Sequence, residues 1–134
     1  MALPKIRTCL VCEAVRAEVG GKWTLLGFFG VTPDVQVSIA NFAFPVTLCF
    51  AFVGGDGSGR VRASIRVLTP SGKEISGTAV DGELAPGKLA SMFFMNFQSV
   101  LPGAGRYTVV LDMNGQEGYR DTFSLAQGTP QAVS

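Results

Sequence analysis

S-M-F-F-M-N-F-Q, Ser91 to Gln98, is the stretch on which the fold turns. It is rich in strand-forming aromatic residues, and a strand alternates its side chains, so Phe93, Met95 and Phe97 point one way while Met92 and Phe94 point the other. A half-buried strand is polar on one side. This one is apolar on both, so either the sheet that contains it is covered on two faces, or Phe and Met crowd the centre of one core and bulges in the register redirect them. Residues 45–54 repeat the pattern, with Leu48, Phe50 and Phe52 opposed to Cys49, Ala51 and Val53. In 22–32, Leu26 and Phe28 oppose Trp23, Leu25 and Phe29. The segment 60–69 is the contrast, placing Val61, Ala63, Ile65 and Val67 inward and Arg60, Arg62, Ser64 and Arg66 toward water. One sheet is therefore expected to be covered on its outer face and the other to be wet.

Gly and Pro, 17 and 7 in number, break the chain at short intervals into runs of period two. That spacing predicts strands near 5–16, 22–32, 45–54, 60–69, 73–80, 90–98, 105–113 and 118–126, and no helix. P-S-G at 70–72 and N-G at 114–115 are hairpin signals, because Gly accepts the positive φ that other residues resist. In the segment from Pro33 to Phe44, Val35, Val37 and Ile39 alternate, so it either continues the preceding strand past a bend at Pro33 or folds back separately. About eight strands and frequent turns argue for an all-β, antiparallel β-sandwich, immunoglobulin-like in style. The chain, 1–134, reads as one domain with its core over 5–126 and a frayed tail at 127–134. Gly105-Arg106-Tyr107 is similar to the tyrosine corner of immunoglobulin-like domains, although Val109 stands where their second cysteine would be.

The formal net charge of +1 provides no long-range field to gather nucleic acid or anionic lipid, so neither a nucleic-acid nor a membrane partner is expected. The N-terminus has no secretory pattern, and no apolar run is long enough to span a bilayer. Three cysteines, an odd number, fit a reducing compartment, and the expected location is cytoplasmic. Charged residues make up 16% of the chain against roughly 25% in an average domain, which leaves more apolar surface than a small monomer readily hides.

C-L-V-C-E-A-V (9–15), G-K-W-T-L-L-G-F-F (21–29), F-P-V (44–46), T-P-S-G-K-E-I (69–75) and G-R-Y (105–107) together resemble a family of small bacterial proteins classed as a domain of unknown function. The resemblance spans most of the chain and rests on strand and turn residues. It implies a bacterial cytosolic β-sandwich and brings no catalytic residues with it.

Histidine is absent, which excludes Ser-His-Asp and Cys-His nucleophiles and histidine metal sites. Cys9 and Cys12 are three apart within a strand, which sends their sulfurs to opposite faces, so they are expected to act as small buried hydrophobes. Gly82 to Lys88 imitates a phosphate loop, but Leu89 replaces the Ser or Thr that would hold magnesium. Gly55, Gly57 and Gly59 precede a strand rather than the helix that would bind a pyrophosphate. No cofactor is implied. If alternate loops share one end of the sandwich, Asp56, Asp81, Glu83 and Glu117 gather there with Glu18 and Asn114 and make calcium candidates, with Lys22, Arg60 and Lys88 placed to neutralise them. Arg62, Arg66, Arg106 and Arg120 read as a solvated face, because no aromatic residue interleaves with them to stack a base.

The cover of the doubly apolar sheet is then the 33–44 segment folded back, a second copy of the protein, or another protein. Twofold homodimers are the commonest assembly, which favours the second copy. Either Phe93, Met95 and Phe97, or the opposite pair Met92 and Phe94, would form the contact. The reading is a non-enzymatic association module, a homodimer or other homo-oligomer with a possible further protein partner. The alternative is a small-ligand or calcium-binding module at the acidic loop end.

Overall fold

In the computed structural model, which describes residues 3–84 and 91–128, the regular elements are all strands. They are β1 (Ile6–Ala17), β2 (Trp23–Val31), β3 (Gln36–Ile39), β4 (Val46–Gly54), β5 (Gly59–Leu68), β6 (Glu74–Leu84), β7 (Ser91–Ser99), β8 (Gly105–Met113) and β9 (Gln116–Gln127). Two sheets form, one ordered β2-β1-β4-β7 and the other β3-β9-β8-β5-β6. All described pairings are antiparallel except β3 with β9. This is the β-sandwich expected from the alternation, and the three doubly apolar strands, β2, β4 and β7, all fall in the four-stranded sheet.

Between the sheets, Leu48, Phe50 and Phe52 of β4 meet Val61, Ala63, Ile65 and Val67 of β5 and Tyr107, Val109 and Leu111 of β8. The Phe50 ring sits 5.3 Å from Phe123 and 6.4 Å from Phe97, so aromatic residues of both sheets fill the centre. Tyr107 is fully buried, and its hydroxyl donates to the Gly103 carbonyl at 2.7 Å, the corner bond that G-R-Y suggested. Asn114 and Gly115, with φ of 52° and 79°, form the two-residue turn between β8 and β9, where both central residues need positive φ.

The segment 33–44 does not continue β2 or cover its sheet. The Thr32 amide bonds to the Cys9 carbonyl and the Asp34 amide to the Val31 carbonyl, a turn that carries the chain across to the other layer. There β3 runs parallel to the end of β9, with Val35 and Val37 in the core. It is thus a strand beyond the eight expected, and it lies on the opposite sheet from the face it was a candidate to cover.

Candidate binding surfaces

The outer face of the four-stranded sheet follows from register. Cys49 is opposite Cys12 and Asn96, Ala51 is opposite Leu10 and Phe94, and Val53 is opposite Met92, so all these side chains share one face. The other face of β7 is the core side: Met95 is 0% exposed, Phe97 is 2% exposed, and Phe93 packs half-buried against the same cluster. Of the two contact sets expected for β7, Phe93, Met95 and Phe97 are therefore core, because they meet the facing sheet. Met92 and Phe94 are the outward pair.

Much of that outward face is nevertheless dry, since Cys12, Cys49 and Ala51 are buried although they point away from the core. Their cover is internal. Phe94 is level with Ala51 and hence with Leu10, whereas Trp23 is level with Ala17, seven residues further along β1 and roughly 23 Å away in a flat sheet. The Trp23 and Phe94 rings nevertheless lie 4.5 Å apart, so the distal half of the β1–β2 hairpin bends back across the sheet. The sequence carried a signal for this in Gly20, Gly21 and Gly27, all at positive φ, but their spacing does not say where the hairpin goes. Phe28, Val31 and Met92 remain exposed around this cover, at 55%, 38% and 47%, and Leu26 and Trp23 on the hairpin are also exposed.

The outer face of the five-stranded sheet is ionic. Arg66 grips Asp112 through two hydrogen bonds, 2.6 and 3.1 Å, and reaches Glu74 at 2.8 Å. Arg120 holds Glu117 at 2.7 Å, which keeps that carboxyl below its usual range, and Arg62 pairs with Asp81 at 2.9 Å. Arg106 donates to Thr122 and Ser124. Val110, level with both Arg66 and Arg120 on this face, is buried.

This arrangement engages most of the calcium candidates. Asp81 and Glu83 lie on strand β6 rather than in a loop, opposite Arg62 and Arg60, and Glu117 is taken by Arg120. Asp56 is exposed between β4 and β5, and Glu18 bonds to Arg16 and Thr24. Among the described residues no group of three or more Cys, Asp or Glu could hold a metal ion. Residues 85–88 of the phosphate-loop lookalike lie outside the described residues, as do 129–134 of the tail.

The cysteines take the two faces that their spacing requires. Cys9 is in the core, where burial pushes its thiol pKa well up. Cys12 lies directly across from Cys49 on the outer side and donates to the Cys49 carbonyl at 3.7 Å. Burial raises both of these thiols, Cys49 up to about 12, and a thiol held neutral is a poor nucleophile and a poor metal ligand.

A cleft of about 570 Å³ opens at the side of the sandwich where β2 and β3 are the edge strands. Phe29, Val37, Ile39, Val46 and Leu48 line it, and Glu13 is the one charged residue on its wall among the described residues. The Glu13 side chain passes over the α-carbon of Gly27, where an added Cβ would sit 2.6 Å from its carboxyl carbon. Glycine at 27 is what gives that carboxylate its place.

Residues 7–125 match the model of a family of unknown function, DUF6941. The chain belongs to that family. No curated protein matches this DUF6941 chain. Among solved structures it is similar to the Pseudomonas fluorescens alkylpurine DNA glycosylase AlkC bound to DNA containing an abasic site analog, at 13% identity and a TM-score of 0.40, over 71% of this chain and 28% of that one. That likeness is too slight to bear on function. The family match takes in both the apolar outer face and the cleft of the DUF6941 chain. No helix among the described residues is long and apolar enough to cross a membrane.

Proposed function

We propose that this chain is a non-enzymatic protein-association module of the cytoplasm that binds a second copy of itself through the outer face of its four-stranded sheet. The observation that carries the reading is the contrast between the two outer faces. One is laced with arginine–carboxylate pairs, while the other exposes Phe28, Val31 and Met92 around the folded-back hairpin. Large apolar residues exposed on one face of a small domain fit an association surface, and a twofold axis lets one such face bury itself against its copy. With its thiols held neutral and most of its outer-face carboxylates paired, the chain offers little to drive catalysis.

Light scattering across a concentration series tests this. A dimer mass that falls toward the monomer in Phe28→Asp and Met92→Asp, with unchanged circular dichroism, is the expected result. A monomer mass at every concentration sinks the proposal.

A further inference from the structure

The open side of the sandwich has the makings of an acceptor for one more strand. Among the described residues β3 is an edge strand bonded to β9 alone. The Ser124 amide donates to the Val35 carbonyl at 2.9 Å and the Gly128 amide to the Ile39 carbonyl at 3.0 Å, so the odd-numbered residues of β3 turn their backbone groups toward β9. In an extended chain the intervening residues turn theirs the other way. The N–H and C=O groups of Gln36 and Ser38 therefore face off the sheet, spaced as an incoming strand requires. On the far side of the molecule the edges are bridged, with the Thr78 hydroxyl of β6 donating to the Asn96 carbonyl of β7 at 2.7 Å.

Beside the free edge lies the cleft, apolar along Phe29, Ile39 and Leu48, with the Glu13 carboxylate on its wall. Glu13 makes no hydrogen bond or ion pair with the described residues, unlike Asp81, Asp112 and Glu117, each of which has an arginine. We propose that β3 is the docking edge for an extended peptide segment of a partner protein, which adds as a strand beside Gln36 and Ser38, puts one apolar side chain into the cleft and sets a neighbouring lysine or arginine against Glu13. Main-chain bonds supply affinity in such strand addition, and the pocket and the charge supply selectivity. A small amine would fill the cleft but leave the Gln36 and Ser38 backbone unmatched, so the free edge is what points to a peptide. This surface is separate from the outer face around Phe28 and stands or falls independently of self-association.

Selection of a random dodecapeptide phage library on the immobilised full chain is the test, followed by titration of the best synthetic peptide. Enriched sequences should carry Lys or Arg beside an apolar residue. Binding should shift the amide resonances of Gln36 and Ser38 and slow exchange of the Ser38 amide. Glu13→Lys should weaken that peptide by about tenfold and turn the selection toward Asp and Glu. Ser38→Pro, tolerable on an edge strand, should abolish binding; if that variant fails to fold, the Ser38 exchange rate in the wild-type complex decides. Phe28→Asp should bind the peptide unchanged. No enrichment, hits without a basic residue, indifference to Glu13→Lys, or resonance shifts centred on Phe28 and Met92 would each overturn the proposal.

Discussion

Met92 and Met95, three residues apart on β7, allow the facing of the fold to be tested with one pair of substitutions. Met95 is wholly buried between the sheets, so Met95→Ala removes three heavy atoms from a packed site and leaves a cavity, at a cost of about 3 kcal/mol. For a domain of 134 residues each kcal/mol moves the melting temperature by roughly 3–5 °C, so the midpoint should fall by about 10–15 °C. Met92 is 47% exposed on the opposite face, where solvent or a shifted neighbour fills the space it vacates. Met92→Ala should then cost at most about 1 kcal/mol, and less in a dilute sample where self-association contributes nothing. Thermal unfolding followed by circular dichroism at two protein concentrations measures both effects. Equal losses, or the greater loss at Met92, would refute the assigned register and with it the choice of outward face.

Tyr107→Phe keeps the ring and deletes the donor to Gly103, so it should cost about 1 kcal/mol in denaturant unfolding, with an unchanged slope. Gly27→Ala should destabilise by about 1 kcal/mol or more, because the residue sits at φ 61° and its new methyl would strike Glu13; Glu13→Ala in the same background should recover the steric part. The buried thiols and Tyr119 all have pKa values raised by burial, Cys49 and Tyr119 to about 12, so the folded state holds protons that the unfolded state releases above about pH 9. The contribution of these groups should therefore be constant below that pH, and stability should decline as pH rises from about 9 toward 12, with Cys49→Ala flattening part of the decline. A thiol-reactive disulfide reagent at pH 8 should label the native protein only at its unfolding rate; immediate stoichiometric labelling would contradict the burial of all three cysteines.

The sequence made the architecture legible wherever a property is local to one strand. Period two at 60–69 identified the wet sheet, the N-G pair located a hairpin, and two apolar faces on 45–54 and 91–98 assigned those strands to the sheet whose outer face is apolar and only partly covered. What it left open is set by long-range geometry. Val35, Val37 and Ile39 alternate as any strand does, but only the turn at 31–34 shows that this strand crosses to the other layer and pairs in parallel with β9. The placement of two acidic candidates was hidden for the same reason: Asp81 and Glu83 sit beside a turn in sequence, yet pairing extends through Leu84 and sets them opposite Arg62 and Arg60. No feature of the sequence marked the cleft, because its walls come from β1, β2, β3 and the start of β4, and its Glu13 carboxylate is an ordinary glutamate until Gly27 is placed beneath it.

The folded-back hairpin also changes what an apolar outer face signifies. A sheet that is apolar on both sides suggests an external cover, and in this chain part of that cover is supplied from within by the contact of Trp23 with Phe94. The buried Cys12, Cys49 and Ala51 are accordingly no evidence for a partner, since the monomer already hides them. Any case for association rests on the rim that the hairpin leaves bare. The hairpin supplies its own discriminating variant: Trp23→Ala should remove the ring from Phe94 and make Cys49 reactive to thiol reagents while the fold persists. If the hairpin only packs within the monomer, Trp23→Ala leaves the solution mass unchanged. If Trp23, which is half-exposed, also meets the partner copy, the mass falls together with that of Met92→Asp, and the contact extends from the rim onto the hairpin itself.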